Sequence, residues 1–199
     1  DVPKDGSTND TTPVINGGGA EKGDIIHVFD GETELGSTVV TSDDGTWSFE
    51  VPADKALDNG DHDFTAKAED PAGNISEPSQ PYPVNVNTLA PDAPSITGVV
   101  DNDDPAHLVD VPKNGDTNDT TPVINGGGAE KGDIIHVFDG ETELGSTVVT
   151  SDDGTWSFEV PADKALDEGE HDFIVKAEDP AGNMSGPSEP YPINIDTTA

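Results

Sequence analysis

The nine residues 44–52, DGTWSFEVP, determine how the surrounding sequence is interpreted, and they recur unchanged at 153–161. An Asp-Gly turn signal precedes strict alternation, in which Trp47, Phe49 and Val51 fall on one side and polar residues on the other. Period-two alternation is typical of a β-strand with one face in a core and the other in water. The stretch therefore predicts a half-buried strand whose aromatic side chains enter a core.

Short runs of the same kind surround this stretch, and turn residues separate them. In the first half of the chain the predicted strands are Thr12–Ala20, Asp24–Phe29, Leu35–Thr41, Trp47–Val51, Phe64–Ala68 and Tyr82–Val86. The segments PADKALDNG (52–60) and PADKALDEG (161–169) are too short and too broken for more than one helical turn. Many short strands joined by tight turns are typical of an all-β sandwich.

Residues 1–90 recur as residues 110–199, with identity at 77 of 90 positions. A repeat of this length and similarity indicates two copies of one domain. The segment 87–109, NTLAPDAPSITGVVDNDDPAHLV, is not duplicated, and within it Ser95–Val100 is predicted to be a further strand after a Pro-rich linker. We take the linker as the boundary, so that the domains are residues 1–90, without this first strand, and residues 91–199, with it. A second assignment of the repeat boundary stays open, in which Ser95–Val100 completes the first copy and the second copy is one strand short.

The chain is strongly acidic, with 42 Asp and Glu against eight Lys and no Arg, which gives a formal net charge of −34. This charge repels nucleic acid, and it destabilises the compact state unless cations neutralise it. Since there is no Cys and the hydrophobic content is only 31%, bound metal is the expected reinforcement of small domains. No hydrophobic span is visible, so we expect no membrane insertion.

Four phrases follow one another in the first copy and the linker: TTPVINGGGAEKGD (11–24), DGTWSFEVP (44–52), EDPAGN (69–74) and NTLAPDAPSI (87–96). Together they resemble the bacterial immunoglobulin-like repeats of giant type I-secreted surface adhesins and biofilm-associated proteins. The resemblance implies two tandem immunoglobulin-like β-sandwich domains of roughly seven strands each, the first copy lacking its first strand. It also implies a monomeric stalk on the bacterial cell surface, in which each repeat contacts neighbouring repeats and Ca²⁺ stiffens the joints.

The candidate Ca²⁺ ligands are acidic and amide residues that such a sandwich would gather at its two poles, since Ca²⁺ binds six to eight oxygen atoms. At the pole of the second copy away from the linker we expect Asp101, Asn102, Asp103, Asp104 and Asp196. At its linker pole we expect Glu178, Asp179, Asp92 and Asn87, with Asp133 and Glu130 nearby. In the first copy Glu69, Asp70 and Asp24 are expected at the equivalent pole, where the chain enters the domain. No EF-hand loop is present, so this prediction rests on clustering alone.

Catalysis has little support in the sequence. The five His include no pair at metal-ligand spacing, and paired carboxylates carry no information in so acidic a chain. The cluster GGGAEKGD (17–24) lacks the Lys-Ser/Thr ending of a phosphate-binding loop. We therefore predict that the chain is not an enzyme but a calcium-stiffened spacer that projects a terminal adhesive region for attachment or biofilm formation. The alternative is a module that binds a glycan or host receptor, which would need exposed aromatic side chains, whereas Trp47 and Trp156 are predicted in the core.

Overall fold

Residues 2–104 and 106–198 are described by a computed structural model, and within them the chain forms sixteen β-strands and two single turns of 3₁₀-helix. The strands divide between unit 1 (Asp1–Leu89) and unit 2 (Ala90–Ala199). The helical turns, Ala53–Lys55 and Ala162–Lys164, lie in the two segments where the sequence permits one turn. No helix of the described residues is long and apolar enough to cross a membrane.

In unit 1 a five-stranded sheet packs against a two-stranded sheet. Its strands are β1 (Gly6–Thr8), β2 (Val14–Gly17), β3 (Ile25–Asp30), β4 (Thr33–Val39), β5 (Trp47–Glu50), β6 (Gly60–Glu69) and β7 (Tyr82–Val86). The larger sheet has the order β1-β7-β6-β3-β4, and β2 pairs with β5 in the smaller one. The pairing of β1 with β7 is parallel, and the other pairings are antiparallel.

Unit 2 repeats this arrangement with a larger second sheet. Its strands are β8 (Ser95–Asp101), β9 (Val109–Val111), β10 (Gly115–Thr117), β11 (Val123–Gly127), β12 (Ile134–Asp139), β13 (Thr142–Val148), β14 (Trp156–Glu159), β15 (Gly169–Glu178) and β16 (Tyr191–Ile195). The five-stranded sheet has the order β10-β16-β15-β12-β13. The second sheet has the order β14-β11-β8-β9, because β8 pairs antiparallel with both β11 and β9.

Local sequence explains the strand that the repeated nine residues form. In β14, Trp156 and Phe158 are buried while Ser157 and Glu159 are exposed, as the alternation predicts. The turn before β14 requires glycine. Gly154 has a φ of +74°, and a Cβ atom there would lie 2.1 Å from the carbonyl oxygen of Ala129.

The predicted fold class is confirmed: both units are all-β sandwiches of the immunoglobulin type, and the described part of unit 1 contains no counterpart of β8. Unit 2 has nine strands rather than about seven, since the three-residue strands β9 and β10 add to the count. Strands β1 and β10 were not predicted, because the peptides GST and GDT have no apolar alternation. Parallel hydrogen bonding to β7 and β16 defines these strands instead.

The two hydrophobic cores differ in extent although the copies are nearly identical. The buried cluster of unit 2 contains 17 side chains, whereas that of unit 1 contains ten. Tyr191 is 7% exposed, but its counterpart Tyr82 is 43% exposed. Ile124 is completely buried, and its counterpart Ile15 is only partly buried. Strand β8, whose Val99 lies in the core of unit 2, is the structural difference that accounts for the change in burial.

We expect unit 1 to unfold before unit 2, because unit 1 buries fewer apolar side chains in its core. Full burial of one large apolar side chain contributes about 1.5–3 kcal/mol to stability. The midpoint of unit 1 should lie at least about 5 °C below that of unit 2. Fluorescence melting in chelator would follow unit 2 in a Trp47→Phe variant and unit 1 in a Trp156→Phe variant, so that each reporter stays in its intact unit. Coincident midpoints would contradict the expectation.

Candidate metal centre

The acidic loop that follows β8 is held at one end of unit 2 by Thr117. The Thr117 hydroxyl donates a hydrogen bond to Asp101 Oδ2 at 2.7 Å, at the end of β8. The Thr117 carbonyl oxygen accepts the backbone N–H of Asp196 at 2.8 Å. Thr117 therefore brings two of the predicted ligand residues, Asp101 and Asp196, to the same end of the unit.

Asp119 is a completely buried carboxylate at this end of unit 2, with 0% exposure. Its Oδ2 accepts the backbone N–H of Asn102 at 2.9 Å, and its Oδ1 accepts that of Thr121 at 2.8 Å. Both donors are neutral, so these contacts satisfy the oxygen atoms without supplying a positive charge. Asp119 was not among the predicted ligands, because its burial depends on the separate loop that contains Asn102.

We define the acidic cluster as Asp101, Asn102, Asp103 and Asp119. The Asn102 Nδ2 donates to Glu159 Oε1 at 3.2 Å, while its Oδ1 is buried with no hydrogen-bond partner within the described residues. Burial raises the pKa of Asp103, and the negative charges of Asp119 and Asp101 raise it further. The acidic cluster thus combines carboxylates that repel one another with an unpaired carbonyl oxygen, and a cation would relieve both costs.

The chemistry of the acidic cluster fits Ca²⁺, which binds carboxylate and amide oxygens and completes its shell with backbone carbonyls and water. Across residues 2–104 and 106–198, no three Asp, Glu or His side chains already converge as a metal-binding group. Mutual repulsion of carboxylates opposes such convergence when no cation is present. The residues present are therefore suitable donors, although they are not arranged as a finished coordination shell.

The other two residues predicted at this pole make local turns. Asp104 Oδ1 accepts the backbone N–H of Ala106 at 3.0 Å, and Asp104 Oδ2 lies 2.8 Å from His107 Nδ1. The hydrogen bond from His107 lowers the pKa of Asp104. Asp196 Oδ1 accepts the backbone N–H of Thr198 at 3.1 Å. These contacts engage both carboxylates outside the acidic cluster.

The predicted ligands Glu178 and Asp179, at the linker pole, also have structural contacts. Glu178 Oε2 lies 2.9 Å from His136 Nε2. Asp179 Oδ1 accepts the backbone N–H groups of Ala181 at 2.9 Å and Asn183 at 2.8 Å, which closes the turn before β16. Their role as metal ligands stays a prediction.

Unit 1 repeats these contacts at Glu69 and Asp70. Glu69 Oε2 lies 3.1 Å from His27 Nε2. Asp70 Oδ1 accepts the backbone N–H of Asn74 at 2.9 Å, and Asp70 Oδ2 accepts its side-chain amide at 2.8 Å. The hydrogen bonds from Asn74 lower the pKa of Asp70. The same turn chemistry in both copies accounts for the recurring EDPAGN phrase.

The buried residues Asp24 and Asp133 close the turns that precede β3 and β12. Their Oδ2 atoms accept the backbone N–H groups of Glu21 and Glu130, each at 2.9 Å. Local hydrogen bonding explains their presence without metal, and it leaves the predicted ligand role untested.

The linker candidates Asn87 and Asp92 lie in different surroundings. Asn87 Oδ1 accepts the backbone N–H of Leu89 at 3.1 Å, beyond the end of β7. Asp92 is exposed, ahead of β8. Their ligand roles stay predictions.

Four histidines, which the sequence analysis left without a role, each lie between two oxygen acceptors. His136 Nδ1 is 2.9 Å from Glu143 Oε1, and its Nε2 faces Glu178, with Lys176 opposite His136 on the neighbouring strand. Burial lowers the pKa of His136, but the hydrogen bonds to Glu143 and Glu178 outweigh it and raise the pKa overall. The pKa is also raised at His27, His62 and His171.

Comparison with protein families matches residues 1–88 and 92–197 to the family described as "Bacterial Ig-like domain". Among curated proteins, Bacillopeptidase F of Bacillus subtilis (strain 168) is 27% identical over 195 residues, covering 98% of this chain and 12% of that protein. The chain therefore spans only a small part of this relative's length.

Among solved structures, the fibronectin(III)-like modules of Clostridium thermocellum CbhA match with a TM-score of 0.52 and 17% identity, covering 98% of this chain and 90% of theirs. This likeness supports the sandwich fold. A "Ca²⁺-stabilized adhesin" of an Antarctic bacterium matches with a TM-score of 0.43 and 18% identity, covering 96% of this chain and 46% of the other.

The raised pKa of His136 predicts that unit 2 loses stability as pH increases. Stabilisation by the protonated ring is fully present below the ordinary pKa of 6.5 and is lost as pH rises through the higher folded-state pKa. A His136→Gln variant should flatten the dependence of unfolding free energy on pH between about 6 and 8, by at most roughly 1 kcal/mol. Denaturant titrations would measure this change, with exposed His107→Gln as the control. Equal slopes in the wild type and His136→Gln would refute the assignment.

Proposed function

The chain belongs to the bacterial Ig-like domain family, and on this basis we propose that its two units are spacer repeats of a large bacterial cell-surface adhesin, stiffened by Ca²⁺. In this role they hold a terminal adhesive region away from the cell for attachment or biofilm formation. The neighbouring repeats of the same chain are the expected partners, the chain acts as a monomer, and type I secretion places it outside the cell.

The observation that carries the spacer proposal is the near-identical duplication, with 77 of 90 positions shared between the copies. A spacer gains length from each added repeat, because each domain has its own core and contributes its own extent. A catalyst gains no comparable advantage from repetition. The charge of −34 agrees with a partner that is neither nucleic acid nor an anionic membrane surface.

The calcium part of the proposal rests on the acidic cluster. When bound, Ca²⁺ supplies positive charge and oxygen coordination that the cluster lacks. Asp101, Asp103 and Asp119 would hold it with their carboxylates, and Asn102 with its buried Oδ1. Thr117 orients Asp101 through its hydroxyl group, and the backbone of Asn102 fixes Asp119. Because the folded state alone assembles these groups, binding would stabilise unit 2.

Asp119→Asn should weaken Ca²⁺ binding at the acidic cluster, since it removes a buried carboxylate charge. We expect millimolar Ca²⁺ to raise the melting temperature of unit 2 in the wild type, and the increase to be mostly lost in the variant. A site at a hundredfold excess over its dissociation constant contributes about 2.7 kcal/mol to stability. Calorimetric titration with Ca²⁺ and melting in chelator would separate lost affinity from lost folding.

The repeat provides a matched control for this experiment. Asp10 is the counterpart of Asp119 in unit 1, and its Oδ1 likewise accepts the backbone N–H of Thr12, at 2.8 Å. Asp10 is exposed, however, and no loop in the described part of unit 1 covers it as the loop containing Asn102 covers Asp119. Asp10→Asn should therefore leave the Ca²⁺ response of unit 2 unchanged. An equal loss in both variants would contradict a site at the acidic cluster.

The spacer mechanism also predicts that Ca²⁺ bound at the linker pole of unit 2, through residues such as Asp92 and Glu178 rather than through the acidic cluster, makes the solution conformation of the chain more uniform. Small-angle scattering in Ca²⁺ should give a longer and better-defined maximum dimension than scattering in chelator. Mg²⁺ at the same ionic strength serves as the control for general charge screening. A maximum dimension indifferent to Ca²⁺ would remove the stiffening mechanism while leaving the fold intact.

A further inference from the structure

Four Asn-Gly pairs occur in the part of the chain that the structure describes: Asn16-Gly17, Asn59-Gly60, Asn114-Gly115 and Asn125-Gly126. An Asn followed by Gly is especially prone to spontaneous deamidation, because glycine has no side chain to hinder its own backbone nitrogen. That nitrogen attacks the side-chain amide carbon of the preceding Asn and closes a five-membered succinimide ring. The reaction needs no enzyme, so the local structure determines which pair reacts.

Two of the four pairs lie inside strands that hinder the attack. Asn16 and Asn125 belong to β2 and β11, where antiparallel pairing with β5 and β14 keeps the backbone extended. The glycines that follow them are closely covered, since an added Cβ atom would collide with the indole ring of Trp47 or Trp156. These strands must open before either pair can react.

The pair Asn114-Gly115 is hindered in a different way, by the turn before β10. The N–H of Gly115 donates a hydrogen bond to the carbonyl oxygen of Pro112 at 2.8 Å, which holds the attacking nitrogen in the turn. The N–H of Asn114 donates to the carbonyl oxygen of Pro192 at 2.7 Å. The backbone is therefore fixed on both sides of the Asn114 side chain.

The pair Asn59-Gly60 lies where a loop enters β6, and its surroundings are open. Asn59 is exposed, and a Cβ atom on Gly60 would meet no heavy atom of the described residues within 4 Å. Water and hydroxide therefore reach both the attacking nitrogen and the amide group that is lost. Of the four pairs, all within the described residues, this one combines an exposed Asn with an uncovered glycine.

Asn59 also has two hydrogen-bond donors on the atom where charge develops during the attack. Its Oδ1 accepts the backbone N–H of Thr88 at 3.0 Å and the hydroxyl group of Thr88 at 2.9 Å. When the Gly60 nitrogen bonds to Asn59 Cγ, the carbonyl electrons move onto Oδ1. Two donors stabilise the negative charge there, as an oxyanion hole does.

We propose that Asn59 is a site of spontaneous deamidation, which Thr88 promotes by stabilising the tetrahedral intermediate. The Gly60 nitrogen loses its proton to hydroxide and forms a bond to Asn59 Cγ, and Nδ2 leaves as ammonia. Water then opens the succinimide at one of its two carbonyl groups, which gives aspartate or isoaspartate at position 59. The reaction adds one negative charge. It is additional to the spacer function and does not involve Ca²⁺.

The second copy already contains a carboxylate at the equivalent position. Glu168 is the counterpart of Asn59, and its Oε2 accepts the hydroxyl group of Thr197 at 3.0 Å. A carboxylate therefore fits beside this threonine, and it accepts stronger hydrogen bonds than an amide does. The aspartate product gives unit 1 the charged contact of unit 2, whereas isoaspartate inserts a methylene group into the backbone where β6 begins.

Incubation of the intact chain at mildly alkaline pH, followed by peptide mapping with mass spectrometry, tests the proposal. We expect Asn59 to be lost at least roughly tenfold faster than Asn125, because β11 must open before Asn125 can react. In denaturant the two rates should converge, since both residues precede glycine. Equal rates at Asn59 and Asn125 in the folded chain would overturn the proposal.

A Thr88→Val variant tests the role of the hydroxyl donor. Loss of Asn59 should slow by at least about threefold, which is less than at a buried oxyanion hole because this site is exposed to water. Thr197→Val is the matched control and should leave the rate at Asn59 unchanged. The unfolding midpoint of unit 1 checks that the fold is retained. Unchanged or faster loss in folded Thr88→Val would show that Thr88 does not promote the reaction.

A Glu168→Asn variant transfers the proposed site to unit 2. Position 168 should then become reactive, because Gly169 is uncovered like Gly60 and Thr197 supplies the hydroxyl donor. An Asn59→Asp chain provides the reference for the mass and charge of the aspartate product. If position 168 stays intact while Asn59 reacts, an uncovered glycine beside a threonine is insufficient, which would contradict the proposed cause.

Discussion

The coverage of one sheet edge by β8 is the constraint on which the rest of the structure depends. A sandwich must satisfy the main-chain groups of its strands and exclude water from the space between its sheets. In unit 2, β8 does both, because it pairs with β11 and places Val99 in the core. In unit 1 no described strand covers the equivalent edge of β2, and Tyr82 is exposed while Trp47 is only partly buried. Two nearly identical sequences thus have different degrees of burial because of one strand.

The acidic residues of the chain have different structural roles although their side chains are chemically alike. Asp24, Asp70 and their counterparts accept backbone N–H groups and close turns, so they belong to the local architecture. The histidines hold strand-borne carboxylates such as Glu143 and Glu178 on the sheet surface. The acidic cluster differs from both sets, because burial and the charges of Asp119 and Asp101 raise the pKa of Asp103, and the buried Oδ1 of Asn102 has no hydrogen-bond partner within the described residues. The negative charge at this end of unit 2 is therefore the basis of the calcium proposal.

Sequence patterns were sufficient where the structure is determined by local alternation. DGTWSFEVP predicted β5 and β14, and the apolar run at 95–100 predicted β8. The short strands β1 and β10 could not be found, because their definition comes from parallel partners far along the chain. Asp119 was missed for the same reason: its burial depends on the loop after β8. The pairing of His136 with Glu178 joins residues 42 positions apart, and no local spacing indicates it.

The parallel pairings of β1 and β10 have a consequence for how the chain reaches its native topology. Gly6 pairs with Val84 and Gly115 with Ile193, so each pairing joins residues far apart in the sequence. Contacts of such large sequence separation form slowly, because the intervening chain must be ordered before they are gained. Each five-stranded sheet is therefore completed late during synthesis, after its strand β7 or β16 has emerged.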